Sequence, residues 1–189
     1  MGILEGKNIL VTGVTMDTSI AYRVTEIAQA EGAKVVVSNL GRAVGLTRRV
    51  VGRLETGPPV LGLDVTDPEH LAALPGQLGE HFGDRLDGVV HSIAFANPER
   101  ALGGAFLNTG WKDVGISLNT STYSYVSLAV ACRELLHGGS SIVGLTFDAR
   151  VTWPQYDWMG VAKAGLESAS RYLARYLGSE GIRSNLVAA

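Results

Sequence analysis

The sequence predicts an α/β fold, a doubly wound parallel sheet covered by helices on both faces. Short apolar runs alternate with longer amphipathic segments along all 189 residues. The runs are apolar throughout rather than every second residue, as expected of strands buried on both faces. No repeat, linker or low-complexity tract interrupts the alternation, so one βαβ series is expected.

Asn8-Ile9-Leu10-Val11-Thr12-Gly13 reads as the first strand. Ser19 to Glu31 reads as a helix with Ile20, Val24, Ile27 and Ala28 on one face, ended by Gly32. Lys34 to Asn39 is the second strand, Ala43 to Leu54 a basic helix, and Gly57-Pro58-Pro59 a turn. Val60 to Leu63 is the third strand. Asp67 and Pro68 form an N-cap and first-position pair opening a helix to about His81. Leu86 to His91 is the fourth strand, and Ser92 to Gly110, without a clear period, an excursion above the sheet. A long helix from about Trp111 to His137, with Tyr125, Leu128, Cys132 and Leu135 as its apolar stripe, ends at Gly138-Gly139. Ser141 to Leu145 is the fifth strand and Phe147 to Gln155 a loop. Tyr156 to about Gly178 is a helix with Ala162, Leu166, Ala169, Leu173 and Tyr176 on one side, and Ile182 to Val187 is the sixth strand. Six strands so linked suggest a Rossmann-like sheet of order 3-2-1-4-5-6, which takes ligands at the carboxyl ends of its strands.

Composition narrows the function. The chain is 46% hydrophobic and carries 16 Lys+Arg against 18 Asp+Glu, so it can fill a core but has no basic excess to attract nucleic acid. A single cysteine, Cys132, excludes a disulfide framework and a multi-cysteine zinc site. None of the four histidines has an i, i+4 partner, so no metal site is expected. The opening Met1-Gly2-Ile3-Leu4-Glu5-Gly6-Lys7 does not read as a signal peptide. No apolar stretch reaches ~18 residues, so no membrane insertion and a cytoplasmic location are expected.

The strand ends carry the chemistry. After the first strand, Gly13 permits a tight turn, and Ser19 with Ile20 opens a helix whose free N–H groups favour a phosphate. Taken alone, these residues read first as an ordinary turn glycine, Gly13, and an ordinary N-cap, Ser19. The second strand ends in Ser38-Asn39-Leu40-Gly41-Arg42, with no acid to hold the ribose of NAD. Arg42 reads either as an acceptor for the extra phosphate of NADP or as a solvated charge at a helix start. Asp64, with Val65, ends the third strand, where its carboxylate can meet an adenine amino group or simply make turn hydrogen bonds. Ser92, Ile93 and Ala94 end the fourth strand and are small enough at Ser92 and Ala94 for backbone to approach a ribose. His91 reads as a core residue. The strongest local signal is Tyr156-Asp157-Trp158-Met159-Gly160-Val161-Ala162-Lys163. Tyr156 and Lys163 stand roughly two helical turns apart on nearly one face. An ammonium near a phenol stabilises the phenolate, and a phenol so placed can donate to a developing enolate or alkoxide. A surface lysine and an interface tyrosine are the alternative.

Together these segments resemble the short-chain dehydrogenase/reductase superfamily, and within it the bacterial enoyl-acyl-carrier-protein reductases, the mycobacterial NADH-dependent branch above all. Gly13 followed by Ser19-Ile20-Ala21 is similar to the family's open glycine loop. Leu63-Asp64-Val65, Leu86 to Ile93, Gly139 to Gly144 and Arg183 to Ala189 also match its pattern. Most of the superfamily has Tyr-x3-Lys, a position occupied here by Gly160, whereas the enoyl reductases have Tyr-x6-Lys, as here.

The resemblance implies reduction of trans-2-enoyl thioesters on acyl carrier protein, in type II fatty-acid synthesis, with NADH and with NADPH as the alternative. It implies Tyr156 at the enolate oxygen, Lys163 on the nicotinamide ribose and Phe147 bordering the acyl pocket. Gly13, Ser19 and Ile20 would meet the pyrophosphate region, Leu40, Asp64 and Val65 the adenine end, and Ser92, Ile93 and Ala94 the body of the cofactor. A homotetramer is also implied. Ala94 stands where the family has glycine, and Leu40 where the mycobacterial branch has an aromatic ring. In the family, the strand holding Asn185 to Ala189 runs on into a substrate-binding loop, further helices and a seventh strand. Residues 1–189 are therefore expected to be a single dinucleotide-binding domain lacking that segment. The competing expectations are another short-chain reductase, acting on a ketone or an enoyl group, and a non-catalytic dinucleotide-binding protein.

Overall fold

Six parallel strands form one sheet, in the order β3-β2-β1-β4-β5-β6, in a computed structural model that describes residues 2–189. The strands are β1 (Asn8–Thr12), β2 (Lys34–Asn39), β3 (Val60–Gly62), β4 (Leu86–His91), β5 (Leu136–Thr146) and β6 (Arg183–Ala188). The helices are α1 (Ile20–Ala30), α2 (Val44–Val51), α3 (Pro68–Phe82), α4 (Trp111–Leu118), α5 (Ser124–Ala131) and α6 (Asp157–Leu177). The strand order is the one expected from the alternation of segments.

Alternate residues of the central strands serve two cores. Leu10 and Val36 face one core with Leu74 and Leu78 of α3, Tyr125 and Leu128 of α5, and Leu166 of α6. Ile9, Val11, Val35 and Val37 face the other, with Ala21 and Ala28 of α1 and Val50 and Val51 of α2. Leu10 and Val11 are both fully buried, which is why β1 shows no polar face. Burying each such side chain contributes about 1.5–3 kcal/mol.

Local signals placed several boundaries. The Ser19 hydroxyl caps α1 by accepting the Tyr22 amide at 3.3 Å, and Asp67 caps α3 through the Glu69 amide at 2.8 Å. Gly32, at φ +91°, turns the chain out of α1.

Four details depart from expectation. The buried face of α1 is Ala21, Tyr22, Thr25 and Ala28, while Ile20 and Ile27 are exposed. On α6 the stripe continues to Leu177, with Tyr176 on the surface. The expected helix 111–137 breaks at a π turn, Asn119–Tyr123, and ends at Ala131. β5 then starts early: Leu136 pairs with Leu86, the register shifts, and regular pairing resumes at Ser141 opposite Gly88.

Candidate active site

The carboxyl ends of β1 to β4 surround a cleft of about 330 Å³. Gly13, Leu40, Asp64, Val65, Ser92, Ile93 and Ala94 all line it, so the strand-end residues chosen from sequence do converge. Gly13 sits at φ +79°, and a Cβ there would lie 2.1 Å from the Ser92 carbonyl oxygen. Backbone from β1 and β4 thus meets at a distance only glycine allows. Beneath this contact the Thr12 hydroxyl donates to the Val90 carbonyl at 3.0 Å and accepts the Ser92 amide at 3.3 Å. The loop leaving Gly13 is held from β2 and α2, because Asn39 Nδ2 and Thr47 Oγ1 both donate to the Val14 carbonyl.

Ser19 and Ile20 lie outside the cleft lining. They open α1, whose N-terminus is the positive end of its dipole. Asp64 makes the turn hydrogen bonds left open as its alternative role, accepting the amide and the hydroxyl of Thr66 at 2.9 and 2.7 Å. It also lines the cleft, so the two roles coexist.

The second half of the site gathers at the end of β5. The Phe147 and Tyr156 rings pack with centroids 4.4 Å apart. Tyr156 precedes α6 and remains 45% exposed, and among the described residues no partner binds its hydroxyl. Lys163, buried on α6, donates from Nζ to the Leu145 carbonyl at 2.7 Å. Both side chains therefore reach the carboxyl end of β5, but the ammonium engages backbone rather than the phenol. Burial pushes the Lys163 pKa down to about 8. His91 is wholly buried, its Nε2 paired with the Ser124 hydroxyl at 2.8 Å. Burial, reinforced by the Lys163 charge, pushes its pKa down to about 3, so it is a neutral core group.

Tyr156 lines a separate groove of about 450 Å³ together with Phe106, Trp153 and Gly160. The excursion after β4 forms one wall of it, and its attachment is specific. Asp157, at φ +38°, accepts the Gly104 and Ala105 amides on one carboxylate oxygen at 2.7 and 2.9 Å. The Trp158 indole donates to the Phe106 carbonyl at 3.1 Å and stacks on the Phe106 ring.

A family model described as "Enoyl-(Acyl carrier protein) reductase" matches residues 13–189. The chain belongs to the enoyl-acyl-carrier-protein reductase family. It is 44% identical over its whole length to the NADH enoyl-acyl-carrier-protein reductases of Mycolicibacterium smegmatis and Mycobacterium avium, spanning 70% of each. It is 36% identical to the NADH enzyme of Escherichia coli, again over its whole length and spanning 72% of that relative.

Within this reductase fold the sequence did not point to the π turn. Thr120 lines the first cleft, and the Ser121 hydroxyl accepts the Phe95 amide at 2.9 Å while donating to the Phe95 carbonyl. That clamp fixes the path of Ser92 to Phe95. The polar run Asn119-Thr120-Ser121-Thr122 inside an otherwise apolar helical pattern was the available signal. Thr15 and Phe95 also line the reductase cleft without having been singled out. Among the described residues no cluster of His, Cys, Asp or Glu could hold a metal ion, and no helix is long and apolar enough to cross a membrane.

Proposed function

We propose that this chain, as one dinucleotide-binding domain, reduces trans-2-enoyl thioesters on acyl carrier protein to saturated thioesters in type II fatty-acid synthesis. The observation that carries the reading is the Phe147–Tyr156 ring contact at the end of β5, with Lys163 two turns along α6.

The cleft suits a dinucleotide because Gly13 brings bare backbone to its floor, and the loop leaving Gly13 leads to the N-terminus of α1, the positive end of that helix. Ser19 and Ile20 flank the pyrophosphate. Leu40, Asp64 and Val65 border adenine, while Ser92, Ile93 and Ala94 border the remainder. NADH, when bound, would supply the hydride for C3 of the enoyl group. The Tyr156 hydroxyl would donate to the thioester oxygen as negative charge grows there, with C2 then taking a proton from solvent. Its exposure and unpartnered hydroxyl suit that role, and Phe147 holds its ring against the acyl pocket. An ammonium has three donors. Lys163 commits one to Leu145, leaving the others for ribose hydroxyls. Exposed Trp111, Tyr123, Val130, Tyr172 and Tyr176 on α4 to α6 and the π turn support assembly of a homotetramer through these helices.

The test is loss of NADH absorbance with crotonyl or longer enoyl thioesters. Tyr156→Phe should lower turnover about 10²–10³-fold, the effect of removing one donor at a developing oxyanion, with NADH affinity retained. Turnover with ketones alone, or equal loss of turnover and affinity in the variant, contradicts the reading.

A further inference from the structure

The Tyr156 hydroxyl has no hydrogen-bond partner among the described residues, so the phenol is placed by its contact with Phe147 and by the backbone that carries it. That backbone is bracketed by residues 101–106 of the excursion after β4. Before Tyr156, the Gln155 carbonyl accepts the Gly103 amide at 3.2 Å. After it, the Trp158 amide donates to the Ala101 carbonyl at 3.2 Å, and the Trp158 indole to the Phe106 carbonyl at 3.1 Å. Tyr156 itself bonds locally, its amide donating to the Trp153 carbonyl at 3.1 Å and its carbonyl accepting the Met159 amide at 2.7 Å.

Asp157 differs from its neighbours in two respects. It is charged, and it is the one non-glycine residue with positive φ among the described residues, at +38°. An L side chain there crowds the backbone, so the conformation persists only where the surroundings impose it. Here Asp157 Oδ2 accepts the Gly104 amide at 2.7 Å and the Ala105 amide at 2.9 Å. Gly103 and Gly104 lie at φ +71° and +96°, which turns successive amides toward one oxygen in the manner of an anion-binding nest. Charge-assisted bonds of this kind are about twice as strong as neutral ones. Released from them, residue 157 would relax toward negative φ and rotate the backbone that carries the phenol.

We propose that Asp157 is a positioning residue for Tyr156. Its anchored carboxylate holds the start of α6 in a strained turn, and that turn keeps the phenol against Phe147 on the wall of the groove. Asp157 acts through Tyr156, so its loss misplaces the donor without removing it. The proposal rests on reading Tyr156 as the donor to the enolate oxygen.

A double-mutant cycle in the full chain tests it, with kcat and KM for a crotonyl thioester and NADH affinity measured for every variant. Asp157→Ala should lower kcat roughly tenfold, as a misplaced donor does, with KM and NADH affinity near the parent values. Asp157→Asn keeps an acceptor of the same shape without the charge, and should recover kcat to within about threefold of the parent. In a Tyr156→Phe background, where no hydroxyl is left to place, Asp157→Ala should cost nothing further. A further loss in that background, a parent-like kcat for Asp157→Ala, no recovery in Asp157→Asn, or a fall in NADH affinity matching the fall in kcat overturns the proposal and leaves the reductase reading standing. A Tyr156→Phe variant as active as the parent, or a parent without enoyl turnover, overturns both.

Discussion

Replacing Gly13 with alanine tests whether the cleft floor depends on backbone contact between β1 and β4. At φ +79° an L-residue is strained by about 1–2 kcal/mol. The added Cβ would also sit 2.1 Å from the Ser92 carbonyl oxygen, where ordinary contact begins at 3.4 Å. The two strand ends must separate by about an ångström, and the bonds from Thr12 to Val90 and Ser92 lie directly beneath. Losing both adds about 1 kcal/mol each, for a total of roughly 3–4 kcal/mol. In a chain of this size that lowers Tm by roughly 10 °C. Gly45 is the control: it lies in α2, its Cβ would meet nothing within 4 Å, and Gly45→Ala should stabilise by up to about 1 kcal/mol. Differential scanning calorimetry and NADH titration read both variants. A Gly13→Ala protein with the parent Tm and NADH affinity would refute the reasoning.

Other substitutions probe the electrostatics and the groove. Lys163 has a folded pKa of about 8 against 10.5 unfolded, so its buried charge costs stability below pH 8, a cost that fades as pH rises toward 10.5. Lys163→Met should therefore raise stability to urea at pH 7 yet weaken NADH binding, and the parent should lose NADH affinity above pH 8 while the variant stays flat. His91 has a folded pKa of about 3, below the ordinary 6.5, so the unfolded chain takes up more protons between those values and stability should fall as pH drops through that window. His91→Asn should flatten this slope in urea titrations; an unchanged slope would mean that His91 is not held neutral. Asp157→Ala removes the acceptor for the Gly104 and Ala105 amides and should lower kcat/KM for enoyl thioesters roughly tenfold with NADH binding kept. Parallel losses in both would place Asp157 in general folding rather than in shaping the groove.

Strands were legible because a parallel strand covered on both faces must be apolar at every position, and Ile9-Leu10-Val11 and Val35-Val36-Val37 are. Helix phase was less legible, and α1 shows why. Ile20, Val24 and Ile27 form the larger apolar stripe, but Ala21, Tyr22, Thr25 and Ala28 are the buried residues, three of them small enough to let the helix lie close, and of the stripe only Val24 packs partly against the core. Periodicity weighs hydrophobicity and not the room available, so it chose the bulkier face. The long helix failed for a different reason. Thr122 and Ser124 turn their hydroxyls onto carbonyls of Ala162 and Thr120, and Ser121 clamps Phe95. Those partners come from α6, from the turn itself and from the segment after β4, so the long-range ones are not apparent in the local pattern.

The candidate site divides along the same line. Residues whose place in the cleft depends on backbone position at a strand end, Gly13, Ser92 and Ala94 among them, followed from topology once the strands were placed. Residues whose role depends on where a side chain points did not. Spacing alone would put Tyr156 and Lys163 on one helical face, but Tyr156 stands before α6, and spacing does not reveal that the ammonium bonds Leu145 while the phenol rests on Phe147. That division has a structural consequence. The Lys163 ammonium is tied to β5 through Leu145, whereas Tyr156 stands before α6 on an exposed groove, so a movement of the phenol leaves the ammonium where it is.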